Sequence, residues 1–153
     1  MRNHSHVARL LLLAVVALLP PFTADARGQN PPAGYAVEYY YKMQWGHFDE
    51  FMELYRRNHY PILQREQQMG RILSMSVAYP RNHAGEASRW DMRFTIVWKD
   101  AATAYDGFDS ATIARELYPD QAKFRAEERR RFELLIEHMD VPVRTENPED
   151  WRR

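Results

Sequence analysis

The fold is decided by residues 35–45, which read Tyr-Ala-Val-Glu-Tyr-Tyr-Tyr-Lys-Met-Gln-Trp. From Tyr35 to Trp45, every second residue is large and apolar. A period of two that is rich in aromatic side chains predicts a β-strand with one face buried against a core. The alternate positions form a mixed face that carries Ala36, Glu38, Tyr40, Lys42 and Gln44.

A helix is predicted directly after this strand. Gly46 breaks the alternation, and from His47 onward the apolar residues recur at spacings of three and four, which is typical of an amphipathic helix. Pro61 lies inside this stretch and is expected to kink or split the helix near Asn58, because proline lacks a backbone N–H. Gly70 is expected to end the helix as a C-terminal cap.

A hairpin is predicted in the middle of the chain. Residues 71–79 and 89–99 each read as a strand, and the polar segment 80–88 between them is the expected loop. The second of these strands places Trp90, Met92, Phe94, Ile96 and Trp98 on one face.

Three helices and a last strand are predicted after the hairpin. Asp100 and Ser110 are expected to cap two short helices, and Asp120 to begin a third in which apolar residues continue to Met139. Residues 141–145 predict a short fourth strand, which Pro142 would confine to a sheet edge.

The order of these elements is β-α-β-β-α-β, which is the ferredoxin-like unit. It predicts an α+β fold in which helices cover one face of an antiparallel four-stranded sheet. The predicted domain spans residues 35–146 and is followed by a polar tail, residues 147–153.

The N-terminal residues 1–26 predict a cleavable secretory signal peptide. A cationic start precedes an apolar run from Leu10 to Leu19, and Ala24 and Ala26 provide the small residues of a cleavage site. The run is about half of the ~20 residues that a membrane-spanning helix needs, which disfavours the alternative of an uncleaved anchor. We therefore expect an exported protein, periplasmic or secreted, whose mature chain begins with a flexible leader at residues 27–34.

Composition excludes several kinds of chemistry. The chain has no cysteine, so it has no disulfide, no thiolate nucleophile or zinc site, and no cysteine-ligated cluster. Its formal net charge is +0, which predicts no nucleic-acid partner and, after signal cleavage, no membrane partner. The sequence also lacks a phosphate-binding glycine loop, a G-x-S-x-G elbow and an H-E-x-x-H pair. We expect no metal and no cofactor.

Five short segments form a recognisable sequence pattern. They are Glu38-Tyr39-Tyr40-Tyr41-Lys42, Trp45-Gly46-His47, Asp49-Glu50-Phe51, Asn58-His59-Tyr60-Pro61 and Trp90-Asp91-Met92-Arg93-Phe94. Together with the element order, they resemble the dimeric α/β-barrel superfamily, which includes NIPSNAP-like proteins, small cofactor-free monooxygenases and stress-responsive barrel proteins. The resemblance implies a homodimer whose two sheets pair into a barrel. It carries over no catalytic residue.

The mixed faces of the strands supply the predicted ligand-binding residues. Tyr40 and Lys42 are two apart on one strand, and Asp91 and Arg93 are two apart on another, beside Trp90. In a barrel these side chains would line a polar space that binds a small molecule. The plainer alternative is an ordinary ion pair between strands, which contributes under ~1 kcal/mol when exposed.

His59 is the predicted catalytic residue. It lies on the apolar stripe of the first helix beside Pro61, and a neutral imidazole there could act as a general base. The alternative is a half-buried histidine that hydrogen-bonds a backbone group freed by the proline. We reject a metal site shared by His59 and His47, since twelve helical residues span roughly 18 Å.

Three functions remain open from the sequence. The first is a small-molecule-binding protein with its ligand between paired sheets. The second is a cofactor-independent oxygenase or isomerase that uses His59 as its base. The third is a structural or interaction module without a ligand.

Overall fold

The computed structural model describes residues 34–82 and 84–151. The predicted signal peptide, residues 1–26, and all but the last residue of the leader lie outside the described residues. In chain order, the elements are β1 (Tyr35–Met43), α1 (Phe48–Leu54), a π-helical turn (Tyr55–His59), α2 (Tyr60–Gln68), β2 (Ile72–Ala78), β3 (Met92–Trp98), α3 (Ala101–Ala104), α4 (Ser110–Leu117), α5 (Gln121–Glu133), β4 (Leu135–Val143) and a 3-10 turn (Pro148–Trp151). Within the described ranges, no helix is long and apolar enough to span a bilayer.

The four strands form one sheet in the order β2-β3-β1-β4. All three neighbouring pairs are antiparallel, and the central pair aligns Tyr39 with Phe94 and Tyr41 with Met92. This arrangement is the ferredoxin-like fold, and the predicted fold class is confirmed.

The alternation in β1 and β3 buries one face of the sheet under the helices. Val37, Tyr41 and Met43 of β1 are at most 4% exposed, and Met92 of β3 is fully buried. Phe51 of α1 is also fully buried against this face, which we call the covered face. The alternate residues form the opposite face, which no described element covers; we call it the open face.

Helix boundaries follow the capping chemistry of the sequence. The Asp100 and Asp120 carboxylates accept hydrogen bonds from the Thr103 and Lys123 amides at 2.7 and 2.9 Å, as predicted. Gly70 ends the first helical stretch with a φ of 75°, a conformation that glycine adopts without a steric penalty. The prediction for α4 was wrong by one residue.

Asp109, rather than Ser110, caps α4. Its carboxylate accepts a hydrogen bond from the Ala111 amide at 3.0 Å, and Ser110 is the first helical residue. Aspartate and serine are comparably good caps, so two adjacent candidates left the choice open.

The end of the last helix was also predicted wrongly. α5 ends at Glu133, and Leu135 begins β4, where a helix was expected to continue to Met139. β4 pairs with β1 from Ala36 to Met43, so it satisfies the backbone groups along the second edge of β1. Pro142 lies on this edge strand, as expected.

Candidate functional site

The helix after β1 contains a π-helical turn at Tyr55–His59, where the sequence predicted a kink. Pro61 cannot donate a backbone hydrogen bond, and its ring would crowd the carbonyl four residues earlier, which is that of Arg57. The widened turn relieves this conflict. The Tyr118 hydroxyl on the α4–α5 connection donates to the carbonyls of Arg57 and Asn58 at 2.9 and 3.0 Å. Such π-helical turns occur frequently at functional sites.

A cavity of about 180 Å³ lies between this turn and the outer half of the covered face. Its wall is mostly apolar and is supplied by α1, the π-helical turn, α2, β2 and β3. The lining residues are Met52, Tyr55, Arg56, Tyr60, Met75, Ser76, Val77, Tyr79, Met92 and Phe94. Arg56, Val77 and Tyr79 are exposed, so they mark the mouth of the cavity, which lies along edge strand β2.

His59 lies away from the cavity, toward β4 and α5. Its ring meets that of Tyr55 at 5.0 Å, and neither of its nitrogens bonds to a residue in the described part of the chain. Burial lowers the pKa of His59 to about 3, and the charges of Arg131 and His138 act in the same direction. The imidazole is therefore neutral at physiological pH. The expected hydrogen bond to a backbone group freed by Pro61 is absent among the described residues, because Tyr118 occupies those carbonyls.

Two buried tyrosines link His59 to the sheet: the Tyr55 ring contacts His59 and also lies 5.7 Å from the ring of Tyr41 of β1. Tyr55 is 2% exposed, and its hydroxyl has no hydrogen-bond partner within residues 34–82 and 84–151. Burial raises the pKa of Tyr41 to about 12 and raises the pKa of Tyr55 further. Both hydroxyls therefore stay protonated. A buried hydroxyl without a partner is energetically unfavourable, so the Tyr55 hydroxyl lowers the stability of the fold beside the cavity.

His138 of β4 completes this cluster. It stacks on Tyr41 with 4.4 Å between ring centroids, and its Nε2 lies 3.3 Å from the Asp140 carboxylate. Sequence reasoning missed His138 because it placed residues up to Met139 in a helix. The sequence signal that fits a strand here is the alternation of apolar residues with His138, Asp140 and Pro142; the apolar residues are Met139, Val141 and Val143.

Four of the predicted ligand-binding residues lie on the open face. Tyr40 and Arg93 are directly opposite one another on β1 and β3, and Trp90 meets the Tyr40 ring edge-on at 5.7 Å. The prediction that Trp90 shares a face with Met92 was wrong, because β3 begins only at Met92 and strand alternation does not extend to Trp90. Glu38 joins the group, since it accepts a hydrogen bond from the Tyr40 hydroxyl at 2.6 Å and lies 3.3 Å from Arg93. The fourth residue, Lys42, pairs with the Glu86 carboxylate at 3.2 Å.

Asp91 belongs to a different group at the end of the sheet. It accepts hydrogen bonds from the Arg89 guanidinium at 2.6 Å and from the Met43 amide at 2.7 Å. Arg89 is 8% exposed and is also bonded to Glu86. Asp91 and Arg93 therefore belong to separate groups: Asp91 pairs with Arg89, and Arg93 forms an ion pair between strands with Glu38.

The structure therefore divides the predicted site residues between two faces of the sheet. Tyr40, Lys42, Trp90 and Arg93 share the open face, while His59 lies under the covered face. The described residues contain no group of three or more histidine, aspartate or glutamate side chains placed to hold a metal ion.

No protein-family model matches the chain, and no curated protein matches it in sequence. Among solved structures it is similar to an uncharacterized NIPSNAP domain protein from Burkholderia xenovorans, with 14% identity over 73% of this chain and 94% of that one and a TM-score of 0.41. A NIPSNAP family protein from Agrobacterium tumefaciens is 14% identical over 77% and 98%, with a TM-score of 0.42.

A dimeric ferredoxin-like protein from an uncultured marine organism is 7% identical over 74% of this chain and 90% of that one, with a TM-score of 0.44. NIPSNAP and dimeric ferredoxin-like proteins were the resemblance that the sequence suggested. The assignment of the ferredoxin-like fold itself rests on the strand order of this chain.

Proposed function

We propose that the protein binds a small, single-ring molecule in the cavity beside the π-helical turn. The observation that supports this is an apolar cavity of about 180 Å³ in the covered layer. The cavity opens to solvent at its mouth, where Arg56, Val77 and Tyr79 are exposed, so a ligand can enter it from outside. A dry cavity of about 150 Å³ holds one benzene molecule, so the volume suits one ring.

This position differs from the one that the sequence suggested. A polar space between two paired sheets was expected, whereas this cavity lies between a sheet and its own helices. The wall contains methionines on three elements, Met52, Met75 and Met92. Because methionine is flexible and polarisable, such a wall adapts to aromatic guests.

The test is a panel of single-ring compounds, such as toluene, phenol and benzoate, followed by calorimetry and thermal shift. Val77→Phe at the mouth is expected to occupy the cavity and abolish binding. Leu117→Phe on α4 is the matched control, because Leu117 is similarly exposed and lies outside the cavity wall. The proposal would be refuted if no compound of the panel binds, or if Val77→Phe leaves binding intact.

Catalysis through His59 is the second candidate function. Its support is the contact between His59 and Tyr55, since Tyr55 is shared by the cavity wall and the histidine cluster. The proposal is a cofactor-independent oxygenase or isomerase. Oxygen consumption and product formation with each bound ring compound test it. His59→Gln, which keeps most of the side-chain volume, should abolish turnover while ligand affinity persists; turnover that survives in the variant excludes His59 as the base.

We further propose that two copies pair through their open faces. Leu73, Met139 and Val141 are 41%, 42% and 38% exposed there, which is a large apolar content for a free surface. The face also carries balanced charges, which suits a second copy of itself. These charged residues are Glu38, Lys42, Arg93 and Glu137. Pairing would also enclose the groove of about 600 Å³ at one end of this face.

The molar mass measured by size-exclusion chromatography with light scattering tests whether the protein is a dimer. We expect twice the chain mass for the wild type and a monomer for Val141→Glu, because the substitution places a carboxylate in the apolar part of the proposed interface. Leu117→Glu, an equally polar change on an exposed helix position, should stay dimeric. A monomeric wild type at micromolar concentration would refute pairing.

Export is a separate proposal that rests on residues 1–26. The expected result is a mature N-terminus at Arg27 in protein recovered from outside the cytoplasm. N-terminal sequencing and cell fractionation measure both. Recovery of full-length chain in the cytoplasm alone would refute export.

A further inference from the structure

We propose that the ligand of the cavity is a single-ring carboxylate, with its ring inside the cavity and its carboxylate at Arg56. This inference rests on the proposed function and names its ligand class. It follows from the polar groups at the mouth, which all have free hydrogen-bonding capacity and include one charge.

Arg56 is the one formally charged residue among those that line the cavity. It is exposed, and its guanidinium forms no ion pair or hydrogen bond with any residue the structure describes. Arg57, the next residue, is different: it pairs with Glu53 at 2.6 Å and with Glu127 at 3.1 Å. The two adjacent arginines therefore differ in their pairing: the charge of Arg57 is neutralised by carboxylates of the described chain, and that of Arg56 is not.

Two carboxylates, Asp49 and Glu53, line the adjoining groove with Arg56. Glu53 is paired with Arg57, and Asp49 forms no ion pair with Arg56 in the described part of the chain. The cavity wall contains no carboxylate. A ligand anion at the mouth is therefore attracted by Arg56 and meets no lining carboxylate. A ligand cation would be repelled by Arg56 and would find no carboxylate to bind it.

Two hydroxyl groups of the wall can assist. Those of Tyr60 and Tyr79 donate no hydrogen bond to a residue in the described ranges, and both residues belong to the lining. A carboxylate has two oxygens and accepts several hydrogen bonds, and a guanidinium binds it through two parallel N–H groups. The apolar wall sets the size of the ring and Arg56 sets the charge.

The experiment compares benzoate with benzamide, which has the same shape and no charge, by calorimetry on the wild type, Arg56→Gln and Arg65→Gln. Arg65 is an exposed arginine of α2 outside the cavity wall. We expect benzoate to bind the wild type roughly tenfold more tightly than benzamide. Arg56→Gln should weaken benzoate binding about tenfold, to the level of benzamide, whereas Arg65→Gln should change the affinity of neither compound. The benzoate preference should also weaken as salt is raised.

Two outcomes distinguish the carboxylate proposal from the proposal that the cavity binds a single ring. If benzamide and toluene bind, Val77→Phe blocks them, and benzoate gains nothing from Arg56, the carboxylate assignment is wrong while the ring-binding proposal stands. If none of the ring compounds binds, both are wrong.

Discussion

The two faces of the sheet treat polar side chains in opposite ways. On the open face, Glu38 accepts a hydrogen bond from Tyr40 and pairs with Arg93, so these side chains form one connected group, in which only the Arg93 Nε lacks a partner among the described residues. On the covered face, Tyr55 and His59 are surrounded by aromatic rings, and burial shifts their pKa values away from ionisation. The same alternation of residues produces both faces, and burial decides whether a polar group stabilises the fold or costs it free energy.

The largest expected contrast is in packing. Met92→Ala on the covered face should lower the free energy of unfolding by about 2–5 kcal/mol, because it opens a cavity at a fully buried position. Thr95→Ala, three residues later on the open face, should change it by less than about 1 kcal/mol. Urea unfolding measures both. Equal losses would show that the open face is packed as tightly as the covered one.

A second contrast is in pH dependence. The unfolded chain protonates His59 near pH 6.5, whereas the folded chain does so only at about 3. Between these values the unfolded state binds more protons, so stability falls as the pH is lowered. At pH 5 the penalty should reach about 2 kcal/mol. The charged groups facing His59 are Arg131 from α5 and His138 from β4.

The measurement is the free energy of unfolding at pH 7 and pH 5 for the wild type and for His59→Gln. The variant should lose most of the difference between the two pH values. His138, whose pKa is also lowered by burial, should account for a smaller part that remains. A variant with the full wild-type difference would show that His59 is solvated in the folded state.

The smallest expected contrast concerns two hydroxyls. Tyr40→Phe should cost about 1 kcal/mol, because it removes a hydrogen bond to Glu38. Tyr55→Phe should be neutral or slightly stabilising, because it removes a buried hydroxyl that has no partner in the described chain. Thermal unfolding of the two variants in parallel measures the difference. A marked loss in Tyr55→Phe would indicate a bound water or ligand at that hydroxyl.

Most of the fold could be predicted because its signals are local. The alternation in β1 and β3, the aspartate caps and Pro61 each act within a few residues. β4 was predicted poorly because the spacing of Leu135, Ile136 and Met139 also fits a helix. What selects the strand is the unpaired edge of β1, which lies about a hundred residues earlier in the chain.

The candidate site was less predictable. The cavity depends on how far the π-helical turn stands from β2, and no single segment encodes that distance. Tyr55 and Met52 were predicted as core residues of an amphipathic stripe. Both are buried in the core, but each also lines the cavity. Tyr40 and Arg93 were correctly placed on one face, since strand alternation fixes which side a residue occupies.

The junction between α5 and β4 has a consequence for altering the length of the chain. Helix passes to strand through Leu134 alone, which is 1% exposed. An inserted residue there would shift the register of β4 by one, bringing His138 to the open face and Met139 under the helices. The loop between β2 and β3 has room to absorb the same insertion. A tag or a fused domain therefore belongs in that loop, while the helix–strand junction tolerates no change in length.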